Sequence, residues 1–249
     1  REREKLREAE RVAMVAIFAV LALPLSTALV VMVVRLVSQE YGPTCCGWGT
    51  FGMHAIFMTL AFGMFAPLSA LTFLPRFGLS RDFAKKVHMV GHGCAVAFAC
   101  LGVAVEWKLH SGPGSHHLSS SHSWIGICTV VAYITNWMSG LSFALPSALA
   151  PRPACKRTLL PVHVFLGSVA LVAGLLSIVT GLLSHLRRKA HHGEWRWWIA
   201  NWASILAVCL GVVVFGGLYR PFRPQEEVQK EDAESSSDHA HLESGSEES

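Results

Sequence analysis

Charge is what this chain has least of, and acidic charge is almost missing from its apolar stretches. Charged residues make up 15% of the 249 positions, against about 25% in soluble domains. A solvated surface over most of the chain is therefore excluded. No Walker-type loop, no dinucleotide fingerprint and no Cys-x-x-Cys pair occurs. Nucleotide-driven chemistry and zinc or dithiol redox motifs are set aside on that ground. The net charge of +4 is small and is not gathered into a patch, so no nucleic-acid partner is expected. Cysteine supplies no framework either. Cys94, Cys100, Cys128 and Cys209 lie in apolar runs and serve as small packing residues, and Cys45 and Cys46 are adjacent in a loop.

What the chain does have is six long apolar runs, at 12–37, 48–74, 87–107, 123–146, 161–183 and 197–218. Each is near the ~20 residues a helix needs to cross a bilayer. Backbone groups in hydrocarbon must be satisfied within their own segment, so the runs should be helices. The first is longer than the apolar region of a cleavable signal and is followed by five more, so it is taken as a span. The expected fold is an all-α integral membrane protein of six transmembrane helices. Residues 1–11 form an N-terminal segment, 12–220 the six-helix domain, and 221–249 an acidic, Ser-rich tail expected to be disordered.

An even number of spans puts both termini on one side. That side collects 15 of the 21 Lys and Arg residues, so the positive-inside rule places both termini in the cytoplasm. The basic loop 184–196 opposes this and is outvoted. Trp107 ends the third helix, and Trp195, Trp197 and Trp198 begin the sixth, as an interfacial belt on the outer face would require.

Histidine is the ionisable residue that does enter the runs. His54, His88, His122 and His163 stand near the starts of helices two, three, four and five, whereas Glu106 sits at a helix end. Intramembrane ionisable residues are costly and mark function. Helices alternate in direction, so His54 and His122 share the outer leaflet and His88 and His163 the inner one. Two pairs on four consecutive helices suit two haems held in a bundle core, because imidazole suits iron and facing helices build cofactor sites. His92, one turn deeper than His88 on the same face, is an alternative inner ligand. His122 and His163 each begin an H-x-x-x-G pattern ending at Gly126 and Gly167, and Gly91 follows His88 by three. A glycine on the ligand's face makes room for a flat macrocycle, though small-residue helix packing favours glycine as well.

Four stretches together resemble the cytochrome b561 family. They are Lys85-Lys86-Val87-His88-Met89-Val90-Gly91-His92, Ser121-His122-Ser123-Trp124-Ile125-Gly126, Asn136-Trp137 with Gly140, and Pro161-Val162-His163-Val164-Phe165-Leu166-Gly167. The resemblance implies a four-helix di-haem core from helices two to five with two flanking helices. It implies two haem b groups with His54–His122 and His88–His163 as axial pairs, packed by Gly91, Gly126, Gly167 and Trp124. It implies cytoplasmic ascorbate as donor and monodehydroascorbate or a ferric chelate as acceptor, hence an ascorbate-dependent transmembrane oxidoreductase. Substrate contacts fall by the same resemblance on Lys85, His110, Lys156 and Arg157, the last two in the loop before His163. Relatives are often homodimers, and plasma, vesicular and vacuolar membranes all fit.

There are departures from the pattern. Ser119-Ser120-Ser121 replaces the usual Tyr-Ser-Leu, Leu74 replaces an arginine with Arg76 nearby, and the run Ser115-His116-His117 is atypical. A histidine-dependent proton or metal transporter and a haem-bearing subunit of a larger reductase are the rival functions.

Overall fold

The computed structural model describes residues 2–41, 50–72, 80–114, 116–143, 153–189 and 194–218. Helix α1 is Glu2–Tyr41. The second span is composite: α2 is Thr50–Met58, a π-helical segment follows at Thr59–Phe65, and α3 is Ala66–Leu71. Then come α4, Arg81–Leu109; α5, Ser121–Ser142; α6, Pro153–Lys189; and α7, Trp195–Leu218. Six of these stretches are long and apolar enough to cross a membrane. The protein is an integral, multi-pass, all-α membrane protein, as its six apolar runs require.

Hydropathy marks only the part of a helix that lies in hydrocarbon, and the helices outrun it. The N-terminal segment 2–11 is continuous with α1. Helix α4 starts at Arg81 and α6 at Pro153, before the apolar runs begin. Lys156 and Arg157 are therefore helical, and the loop expected for them is corrected. His163 is likewise not at a helix start but about three turns into α6, and His88 is about two turns into α4. Serine caps set two of the starts. Ser80 Oγ accepts from the Phe83 amide at 3.3 Å, and Ser120 Oγ from the Ser123 amide at 3.2 Å, which holds the first turn of α5 and with it His122.

The π segment has a local cause. Pro67 offers no amide to the carbonyl four residues back, and π adjustments are one way a membrane helix absorbs a proline. The residue four back is Gly63, which is packed tightly against Leu29. The segment carries Phe62 onto Gly174 of α6, where an added methyl would lie 2.4 Å from the ring. It also sets Phe62 against Tyr133 of α5, ring centroids 5.2 Å apart.

Helices α4, α5 and α6 and the composite span surround the core, while α1 and α7 pair with each other beside it. Small residues make those approaches possible. Ala22 on α1 and Ala200, Ala203 and Ala207 on α7 are fully buried. The outward faces carry large apolar side chains, among them Val20, Val31, Phe165, Leu176 and Val212, the pattern expected of a surface solvated by lipid. The tail expected to be disordered, and the loop holding Cys45 and Cys46, lie outside the described residues.

Candidate functional site

The second and fourth spans run in the same direction, and this brings His54 of α2 and His122 of α5, both near the starts of their helices, to one end of the core. Their ring centroids are 6.2 Å apart and the rings are perpendicular. An imidazole nitrogen sits about 2 Å from a metal it ligates and about 1.2 Å from its own ring centre. Two imidazoles facing each other across one ion therefore have centres about 6.4 Å apart. The observed spacing fits that arrangement. Both histidines line a cavity of about 580 Å³ shared with Phe62, Gly126, Gly174 and Gly181, within the ~300–1,000 Å³ of cofactor pockets. A methyl added at Gly126 would meet nothing within 4 Å, so the glycine opens cavity rather than helix contact. Among the described residues no three His, Cys, Asp or Glu side chains converge to hold a metal ion. Two opposed imidazoles fit a metal that brings its own equatorial ligands, as a porphyrin iron does.

The opposite end holds His88, His92 and His163, close enough for a charge on one to be felt by the others. His88 and His92 are one turn apart with ring centroids 4.3 Å apart. His163 lies 5.8 Å, ring to ring, from Phe143.

Each of the four histidines is braced through Nδ1 from a neighbouring helix. His54 Nδ1 donates to the Gly102 carbonyl at 2.9 Å, and His88 Nδ1 to the Ser69 carbonyl at 2.9 Å. His122 Nδ1 meets Thr180 Oγ1 at 3.2 Å, and that hydroxyl already donates to Ser177 O. His163 Nδ1 meets Ser139 Oγ at 3.3 Å, and that hydroxyl donates to Asn136 O. With their hydrogens committed, both hydroxyls must accept. All four rings thus carry Nδ1–H and place the lone pair on Nε2, the tautomer a ligating histidine uses. His92 differs: its Nδ1 is bonded to the Tyr133 hydroxyl, which can act as donor or acceptor.

The bracing is reciprocal. On α5, Gly140 follows His122 by eighteen residues, and on α6, Gly181 follows His163 by eighteen. Gly181 makes room for the His122 ring and Gly140 for the His163 ring; an added methyl would lie 3.0 and 2.6 Å from the respective Cε1 atoms. Likewise the composite span and α4 exchange carbonyls: Gly102 follows His88 by fourteen residues and Ser69 follows His54 by fifteen. The extra residue lies on the strand of helix that contains the π segment, whose turns hold one residue more than α turns. None of these partners, Gly140, Gly181, Gly102, Ser69, Thr180 and Ser139, is given a role in the sequence reading, although Gly140 stands in one of the four family-like stretches. The equal eighteen-residue offsets are the one signal that could have found two of them.

Gly140→Ala forces a methyl into the His163 ring, and is expected to destabilise the folded protein by about 1–3 kcal/mol. Gly126→Ala fills open cavity and should leave the unfolding midpoint of the haem-free protein in detergent unchanged. Equal midpoints for the two variants would mean that Gly140 does not seat the ring.

The remaining residues singled out in the sequence scatter. Gly91 makes room for Ser69, and Gly167 for Asn136, so both serve helix packing. Trp124 is exposed on the outward face of α5. Lys85 is exposed and ion-paired with Asp82 at 3.3 Å. Lys156 lies 5.9 Å over the Phe143 ring, which itself touches His163, and Arg157 is exposed beside it. His110 lines the cavity of His54 and His122, where its Nδ1 is 3.3 Å from Glu106 Oε1.

Comparison with known proteins bears on the same stretch. The family model for eukaryotic cytochrome b561 matches residues 53–188, more than half of the chain. The chain is 26% identical over 181 residues to ascorbate-specific transmembrane electron transporter 1 of Zea mays, covering 71% of this chain and 75% of the relative. It is 34% identical over 136 residues to a lysosomal membrane ascorbate-dependent ferrireductase of Bos taurus, covering 53% and 50%. It is 33% identical over 135 residues to the transmembrane ascorbate-dependent reductase of Mus musculus, covering 52% and 53%.

Proposed function

The chain belongs to the eukaryotic cytochrome b561 family, and on that premise we propose that it carries single electrons from ascorbate through two haem b groups to an acceptor across the membrane. Haem b is the cofactor the family implies. The observation that carries the reading is the His54–His122 pair, 6.2 Å apart across a cavity and braced so that each Nε2 bears the lone pair. In this reading His54 and His122 hold one haem, with Gly126 clearing space for it, and His88 and His163 hold the other. When bound, the haem iron supplies a one-electron couple.

The chain's own residues do the rest. Gly140 lies on α5 at the level of His163, eighteen residues from His122, so the two sites are separated by ~27 Å of helix. That separation covers most of the ~30 Å hydrocarbon layer. Phe62 and Tyr133 pack between the two levels and keep water out of the middle. Lys85, Lys86, Lys156 and Arg157 cluster at the His88–His163 end, all exposed. An anionic donor is drawn there by charge. Ascorbate gives up one electron and one proton on that side, and the excess of basic residues there supports reading it as the cytoplasmic side.

A reduced-minus-oxidised visible spectrum of the purified protein, with haem counted per chain, tests the reading. Two low-spin b haems reduced by ascorbate are expected. One haem, or none, in folded and haem-supplied protein would overturn the ligand assignment, and two haems indifferent to ascorbate would overturn the donor.

A further inference from the structure

The lipid-facing side of the core is not uniform. On α4, Cys100, Val103, Ala104, Trp107, Lys108 and Ser111 recur at helical spacing and form one stripe. On α5, Ile127, Val130, Val131 and Ile134 form the stripe beside it. An open groove lies between the two. Its sides are exposed at Cys100, Ala104 and Val131, so whatever fills it comes from the surrounding membrane.

One end of the groove is polar. Lys108 is the sole charged residue among its described lining, is exposed, and makes no ion pair among the described residues. Trp107 beside it is also exposed, and tryptophan marks the depth at which hydrocarbon gives way to headgroups. Ser111 Oγ donates to the Trp107 carbonyl at 2.8 Å, which leaves its oxygen to accept. The rest of the lining is apolar.

Length selects the occupant. From Cys100 to Lys108 the groove follows ~12 Å of helix, within one leaflet of the ~30 Å hydrocarbon layer. A transmembrane helix of another chain would need a seat along the whole layer. A sterol fits one leaflet but brings no charge to Lys108. A glycerophospholipid brings both an apolar chain of one leaflet's length and an anionic phosphate at the interface.

We propose that this groove holds one acyl chain of a glycerophospholipid from the leaflet at the His54–His122 end, with Lys108 Nζ on its phosphate. The lipid has a structural consequence. Val103, Ile127 and Val130 line both the groove and the cavity of His54 and His122, so the two are one side chain apart. A chain lying in the groove covers that thin wall from the outside. Nothing in the proposal depends on the electron-transfer reading.

The test uses the full chain as purified in detergent, titrated with phosphatidylglycerol that carries a photoreactive diazirine on one acyl chain. Native mass spectrometry counts the lipids retained, and irradiation followed by peptide mapping places them. One lipid per chain is expected, cross-linked to the stretches 100–108 and 127–134. Lys108→Gln should weaken its binding about fivefold, while Lys108→Arg stays near the natural affinity. Diacylglycerol with the same photoreactive chain, which lacks the phosphate, should bind the natural protein and Lys108→Gln equally. Ala104→Phe, at an exposed position, should fill the groove and abolish the cross-link to 127–134 with Lys108 intact. Labelling spread evenly over the six spans would mean annular lipid only and overturn the proposal. So would equal binding of phosphatidylglycerol and diacylglycerol by the natural protein, displacement of the label by cholesterol at equimolar concentration, or its loss on dimerisation of the chain.

Discussion

His122→Ala is expected to halve the haem b content of the purified protein and to lower transmembrane electron flow by at least about a hundredfold. The argument begins with coordination. Two opposed imidazoles, 6.2 Å apart centre to centre, fit a single ion between them, and removing one leaves an axial position that no other described side chain is braced to fill. His110, His117 and His185 border the same cavity, but none stands opposite His54 in the observed pairing. Thr180, which braces His122 through its hydroxyl, would lose its partner as well. The helices should survive, because the ring is seated against Gly181 rather than buried among large side chains, and circular dichroism should be unchanged. Haem counted per chain is the direct readout. Two haems per chain with an unchanged low-spin spectrum in His122→Ala would remove this residue from the ligand set. His110→Ala is the matched control, expected to keep both haems because it lies at the rim and is held by Glu106.

The second large effect concerns the other end. His88→Ala should lose one haem and, with it, fast reduction by ascorbate, whereas His92→Ala should keep two. Position alone does not separate these residues, since they share one face of α4 a turn apart and their rings touch. Their bracing does. His88 donates to a backbone carbonyl, as His54 does, and a carbonyl can only accept, so its Nε2 must carry the lone pair. His92 is bonded to Tyr133, a buried hydroxyl that can play either part. A ligand needs a defined tautomer, and only the first arrangement enforces one. His92 then acts beside the ligand, and its loss should move the midpoint potential of one haem without emptying the site. The reverse result, two haems in His88→Ala and one in His92→Ala, would reassign the axial position to His92.

Much of this molecule can be read before any coordinates are seen. Length and apolarity of each run predict six spans, because in hydrocarbon every segment must satisfy its own backbone and nothing distant can change that. The pairing of His54 with His122 follows from counting, since alternate helices start on the same side. The observed 6.2 Å between those rings agrees with the count. Helix ends were less legible. Charged residues such as Lys85 and Lys156 continue α4 and α6 past the apolar runs, and hydropathy is silent about helices in water.

Other features depended on how far each helix is rotated and how deep it sits. Trp124, Gly91 and Gly167 lie in family-like stretches, yet one faces outward and two make room for Ser69 and Asn136. The π segment at Thr59–Phe65 shifts the second span by a residue, and with it the carbonyl that meets His88. Glu106 reads in the sequence as a helix-end charge, and the structure buries one of its oxygens and sets the other against His110. By itself the sequence determined the membrane fold and which histidines share an end, because solvent and parity act on each segment alone. The tertiary structure decided the tautomers and the glycines that seat the rings, because each depends on an atom from a different helix.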